Sequence, residues 1–190
     1  MKRAMLDASV GRTISRVAEA FQKLEIPFHV TGGIVSSYYG VPRYTMDIDF
    51  VVLLEQGHRD LPAIVEVLNS AFEIDLESAG ESLRSHGIFQ ALDKESFHKV
   101  DFHSGQLIPG EFSRSTTREI YTGVSVPIAS PEDCVISKLV WASMGSGTSW
   151  KDAVQVMQVQ TQLDHRLLRQ LANQLELAGD LDRLIAEASN

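Results

Sequence analysis

The sequence predicts an α+β fold, and three observations carry that prediction. Amphipathic helical stretches alternate with short apolar strands up to about residue 130. From Pro131 onward only helical patterning remains. A chain of 190 residues with 44% hydrophobic content and 6 prolines is long enough to bury one well-packed core. The expected organisation is an α/β core over 1–130 and a helical region over 131–190 packed on it.

The elements follow in order. Ile14, Val17, Ala18, Phe21 and Leu24 recur at helical spacing, so a helix is expected over 13–24, and Pro27 marks the passage into an extended segment. "PFHV" reads as a strand ending at Thr31-Gly32-Gly33, and "IVSSYY" as a short helix closed by Gly40 and the turn around Pro42. "DIDFVVLL" has the apolar content of a buried strand. A second amphipathic helix covers 59–72, and 73–86 carries only a weak helical pattern that leaves its structure open. "IFQAL" and "FHKVDFHS", separated by Asp93-Lys94-Glu95-Ser96, read as a hairpin, and "VSVPIA" as one more strand. Helices are expected near 131–144, 150–160, 164–177 and 180–188, with a break at "GSGTS".

Composition narrows the functions available. The net charge is −8 and no basic arm exists, so unaided binding to a phosphate backbone, which depends on clustered Lys and Arg, is disfavoured. A nucleic-acid partner would need a local basic groove or a metal ion. The single Cys134 has no partner for an intramolecular disulfide and fits a reducing compartment, with the cytoplasm as the default. "MKRAML" begins like a signal peptide but meets Asp7 before an apolar region develops, and no run of roughly 18 apolar residues occurs elsewhere. A soluble protein with no membrane span is expected.

The chemistry concentrates at two junctions. Side chains alternate along a strand, so Asp47 and Asp49 face one side while Ile48 faces the other. Two adjacent anions repel each other and are costly to bury without a cation or several donors. They fit either an exposed turn-and-cap pair or a metal-binding pair. Gly32 and Gly33 either supply positive φ and close packing or let backbone N–H groups approach a phosphate at the start of the next helix. The glycines end one strand and the aspartates begin the next, which puts an anion cradle and a metal-binding pair on the same sheet edge. Asp101, flanked by Val100 and Phe102 that face the other way, adds a third carboxylate. Three oxygen ligands beside a phosphate cradle suit Mg²⁺. His98 and His103 fall on opposite faces of one strand and do not make a shared metal site. His29 and His86 are read as core or surface residues, and Trp141 and Trp150 as packing residues of the helical region.

Gly32-Gly33, Asp47-x-Asp49 and Asp101 together resemble the nucleotidyltransferase superfamily with the DNA polymerase β-type core. "YGVPRYTMDID", "KVD" at 99–101 and "SPEDCVISKLVWAS" followed by "WKDAVQVM" resemble the AbiEii-like toxin group. The resemblance spans roughly 28–158. It implies a mixed twisted sheet flanked by helices, with Gly32, Gly33 and Ser36 holding the triphosphate of an NTP. It also implies two Mg²⁺ ions, or Mn²⁺ in their place, on Asp47, Asp49 and Asp101, with Asp101 helping to deprotonate the attacking hydroxyl. Arg43, Lys138 and Lys151 are implied on the phosphates, and Asp152 either orients Lys151 or binds the nucleotide. On the residues alone, each lysine reads equally as a solvated helix position and Arg43 as a staple of its turn.

Three functions are consistent with this pattern. The first is metal-dependent transfer of a nucleoside monophosphate to an RNA or protein hydroxyl, by the toxin of a toxin–antitoxin pair with a partner antitoxin. The second is a small-molecule transferase of the antibiotic-modifying kind, whose polycationic acceptor the acidic charge balance favours. The third is a non-catalytic descendant that binds a nucleotide or a partner protein, against which the intact carboxylate set argues.

Overall fold

The computed structural model describes residues 2–45, 47–54 and 60–189. Helix α1 (Lys2–Lys23) runs into strand β1 (Phe28–Thr31), helix α2 (Gly32–Tyr39) and strand β2 (Asp47–Val52). Next come α3 (Leu61–Leu68), β3 (Phe72–Glu73), α4 (Leu76–His86) and the β4 (Ile88–Asp93) and β5 (Lys99–Ser104) pair. The short α5 (Glu111–Arg114) precedes β6 (Thr116–Tyr121) and β7 (Val124–Ile128), and α6 (Pro131–Ser143), α7 (Gly147–Val159), α8 (His165–Gln174) and α9 (Ala178–Ala188) complete the chain. The architecture is the expected α+β one.

The strands form one seven-stranded mixed sheet in the order β3-β4-β5-β2-β1-β7-β6. Strand β2 is antiparallel to β1 and parallel to β5, and β1 is parallel to β7. Alternation then sorts the side chains. Ile48, Phe50, Val52, Val100 and Phe102 are fully buried on one face, where Phe21 of α1 meets Phe102 edge-on with ring centroids 5.4 Å apart. The other face carries Asp47, Asp49, Lys99, Asp101 and His103, and α2 and α6 pack beside it.

Several elements depart from the local pattern. Helix α1 begins well before residue 13 and includes Gly11, where a side chain would come within 3.2 Å of Val124. The glycine therefore lets α1 approach the β6–β7 hairpin closely. The helix predicted at 59–72 is observed as the shorter α3, which ends at Leu68 before Phe72 enters β3, and Arg59 lies outside the described residues. In the open stretch 73–86, Glu73 ends β3 and Leu76–His86 form α4, capped by the Asp75 side chain accepting from the Ser78 N–H and ended by Gly87 at φ 67°. Strand β6 is unmarked in the sequence because it is an edge strand with mostly exposed residues, so it shows no alternating burial. Helix α2 starts at Gly32 itself, two residues earlier than "IVSSYY" indicates.

Candidate active site

The site begins at the turn from β1 into α2. Gly32 has φ +68°, a conformation that side chains disfavour. A Cβ there would also fall 1.9 Å from Asp49 Oδ2. Only glycine lets the helix start this close to the carboxylate. At Gly33 a Cβ would lie 2.6 Å from Thr45 Oγ1, so this position too is tightly packed. Thr31 makes no side-chain cap to α2, and the first-turn N–H groups of that helix favour an anion.

The neighbouring strands supply the carboxylates. Register pairs Thr31 with Asp49 across β1 and β2. Across β2 and β5 it pairs Asp47 with Lys99, Asp49 with Asp101 and Val51 with His103. Asp47, Asp49 and Asp101 consequently stand on one sheet face. A cleft of about 500 Å³ opens over Asp47 and Asp49, and its lining includes Gly32, Gly33, Arg43 and Lys138, whereas Asp101, on the same sheet face, is not part of that lining.

Two basic residues join the carboxylates on that face. Lys99 Nζ lies 3.1 Å from Asp101 Oδ2 and 3.6 Å from Asp47 Oδ1. His103 Nε2 lies 3.6 Å from Asp49 Oδ1. The alternation that groups Asp47 with Asp49 applies equally to residues 99, 101 and 103, so both were readable from the sequence once Asp101 was assigned a face. Burial pushes the Asp101 carboxyl above the usual carboxylate range; Lys99 counteracts this, and Asp49 and Asp47 reinforce it. Asp101 Oδ1 is buried and has no hydrogen-bond partner. Among the described residues no group of three His, Cys, Asp or Glu is closed around a single metal position. The Lys99 ammonium is paired with two of the carboxylates, Asp47 and Asp101. The all-oxygen donor set and the orphaned Oδ1 still fit a hard divalent cation.

The opposite wall comes from the helices. Arg43 donates from Nε to Asp152 Oδ1 at 2.8 Å and from Nη2 to Oδ2 at 2.7 Å. Lys138 Nζ lies 2.9 Å from the same Oδ2. Burial works to raise the Asp152 pKa, but hydrogen bonds from Arg43 and Lys138 outweigh it and hold the carboxyl below its usual range. Asp152 is 3% exposed and Lys138 6%, so the network is desolvated and fixes the lysine at the cleft wall.

Three expected roles change with this geometry. Ser36 is buried, with its hydroxyl 3.1 Å from both Asp152 Oδ2 and the Gly33 carbonyl. It supports Asp152 from behind the glycine turn and does not face the cleft. Lys151 is exposed on α7 and does not line the cleft, because one helical step turns it away from buried Asp152. Asp152 accordingly orients Arg43 and Lys138, with Lys151 directed elsewhere. Trp141 lines the cleft and meets His103 with ring centroids 6.0 Å apart, whereas Trp150 donates to Glu187 in the helical region. His98 is within hydrogen-bonding distance of Ser9, and His29 is buried beside Glu111 at 3.3 Å.

The arrangement has the architecture of a nucleotidyltransferase. Among solved structures, an antigenic nucleotidyltransferase-like protein from Paracoccidioides brasiliensis shares 17% identity at TM-score 0.55, over 96% of this chain and 92% of that one. The antibiotic-resistance factor ANT(2″)-Ia shares 16% identity at TM-score 0.56, over 95% of each chain. A nucleotidyltransferase from Thermotoga maritima, described as putative, shares 14% identity at TM-score 0.50, over 74% of this chain and 89% of that one. At these identities the likeness concerns the fold. No curated protein matches in sequence. The chain belongs to the AbiEii nucleotidyltransferase family, described as the nucleotidyl transferase AbiEii toxin of type IV toxin–antitoxin systems, whose pattern matches residues 17–175.

Proposed function

We propose that this protein is a divalent-metal-dependent nucleotidyltransferase that moves a nucleoside monophosphate from an NTP to a hydroxyl acceptor on RNA or protein. We further propose that it is the toxin of a toxin–antitoxin pair and works in the cytoplasm. The observation that carries the reading is the register placing Asp49 opposite Asp101, with Gly32 against Asp49 on its other side.

The chain divides accordingly into a catalytic core over 1–130 and a helical region over 131–190 that closes the cleft with Lys138. Gly32 and Gly33 present backbone N–H groups to the triphosphate, and Lys138 and Arg43, positioned by Asp152, face its negative charge. Asp47, Asp49 and Asp101 would hold two Mg²⁺ ions, or Mn²⁺, which supply charge neutralisation for in-line displacement. Asp101 accepts the proton of the acceptor hydroxyl. The acceptor oxygen bonds to the α-phosphorus as the bond to the bridging oxygen breaks, and pyrophosphate leaves. Positioning and electrostatics account for most of the rate.

The end-to-end likeness to ANT(2″)-Ia favours one second reading, a small-molecule acceptor of the antibiotic type. Incubating the protein with each α-labelled NTP, Mg²⁺ and either total RNA, cell lysate or a panel of aminoglycosides separates the two by where the label appears. Asp49→Asn is the control. It should abolish transfer and the thermal shift on adding Mg²⁺ with nucleotide, while its ligand-free Tm stays equal to or above the wild type because one of the clustered anions is gone. A variant that melts well below the wild type yet keeps the full ligand shift would make Asp49 a structural anchor and remove the mechanism.

A further inference from the structure

The register that aligns Asp49 with Asp101 also aligns Asp47 with Lys99. Lys99 thus rises from the same sheet face as the carboxylates, beside the cleft. Its Nζ bridges Asp101 Oδ2 at 3.1 Å and Asp47 Oδ1 at 3.6 Å. Without it, Asp47 and Asp101 would lose their nearest cation, while His103 and Arg43 stand only toward Asp49.

Charge balance gives this lysine a consequence for ion uptake. On the sheet wall three carboxylates and one ammonium leave two negatives, and on the opposite wall Arg43 and Lys138 exceed Asp152 by one positive charge, so a single divalent ion already meets the remaining demand. A second ion would place excess positive charge beside the ammonium until a polyphosphate arrives to balance it. Asp101 keeps its buried Oδ1 unpartnered while Lys99 holds Oδ2, so one of its oxygens has no protein group to satisfy it. The Lys99 side chain is 43% exposed and can swing aside without disturbing the core.

Resting on the metal-dependent reading above, we propose that Lys99 is a resident cation of the site. It holds Asp47 and Asp101 together in the ligand-free protein and limits that state to a single divalent ion. It yields to a second ion only when the nucleotide phosphates enter. Lys99 is in this sense a positioning residue that orders ion and nucleotide binding.

Counting bound Mn²⁺ by the EPR signal of the free ion tests this, with and without a non-hydrolysable NTP analogue. The wild type should bind one ion alone and a second with the analogue. Lys99→Met should bind two ions without nucleotide, or the first one roughly tenfold tighter or more, since a cation some 4 Å from the ligands has been removed. Its ligand-free Tm should fall, and Lys99→Arg should restore the wild-type count. Lys99→Gln, which keeps a polar side chain, is read in the same way as Lys99→Met. Two ions on the ligand-free wild type, or neutral variants with wild-type count and affinity, would overturn the proposal while leaving metal-dependent transfer standing. A wild type that binds no Mn²⁺ in either condition overturns both.

Discussion

The sheet wall and the helical wall of the cleft hold their charges in different ways. On the sheet, Asp47, Asp49 and Asp101 project from adjacent strands into a half-open space, with Lys99 as their main counter-charge and one Asp101 oxygen left unpartnered. On the helices, Asp152 is buried and saturated by Arg43, Lys138 and Ser36, which come from three separate segments. The sheet wall has residual demand for positive charge, which is the property of a ligand site. The helical wall has satisfied its own demand and acts as a rigid clamp that holds cations at the cleft. Removing a sheet carboxylate should therefore cost function, whereas removing the helical carboxylate should cost stability as well.

The largest stability effect is expected at Asp152. Asp152→Ala leaves Lys138 buried without its partner and frees the loop carrying Arg43, so chemical denaturation should report a loss of about 3–5 kcal/mol. A loss below about 1 kcal/mol would erase the distinction between the walls.

Gly32→Ala comes next. The left-handed backbone alone costs an alanine about 1–2 kcal/mol, and the added Cβ must displace the Asp49 carboxylate. Stability should fall by that amount and the Mg²⁺-nucleotide thermal shift should vanish. Retention of the shift would mean that Asp49 need not sit against the turn. Gly33→Val is less diagnostic, because its side chain first meets Thr45 in the loop that carries Arg43.

The walls should also differ with pH. The Asp152 carboxyl is held below its ordinary range, so its contribution is fully present above the unfolded value of about 3.9 and is lost as pH falls through the lower folded value. Asp101 lies above its ordinary range, chiefly through burial. Its effect has the opposite sign, favouring the fold in acid and fading as pH rises through the folded value. Urea unfolding should show the gap between wild type and Asp152→Asn narrowing below about pH 4, while Asp101→Asn gains on the wild type toward neutral pH. Parallel profiles for the two variants would contradict the contrast.

The smallest effect belongs to Lys151. An exposed position away from the cleft predicts that Lys151→Ala changes stability by less than about 0.5 kcal/mol and leaves transfer unchanged. A large loss of transfer would place Lys151 on the nucleotide after all and require the start of α7 to move.

The legibility of these parts follows the range of the interactions that create them. Asp47 and Asp49 were readable because a two-residue period needs no knowledge of the partner strand, and the same rule reaches Lys99 and His103 once Asp101 has a face. Gly32 stood out for its neighbours, but its requirement for glycine comes from Asp49, seventeen positions further along the chain. Ser36 and Lys151 carried motif-like signals whose direction depends on helix rotation. Strand β6 lacked a signal because an exposed edge strand packs too little to shape its composition.

By itself, the sequence determined the α+β class, the buried strands and the shared face of Asp47 and Asp49, since hydrophobic burial and backbone periodicity act within a few residues. Tertiary structure alone decided that Asp152 clamps Arg43 and Lys138 and that Ser36 turns inward. It also decided that Lys99 falls between two carboxylates. Those outcomes depend on polar and charged groups brought together across as many as 116 positions of chain, where electrostatics is set by distance in space and by exclusion of water.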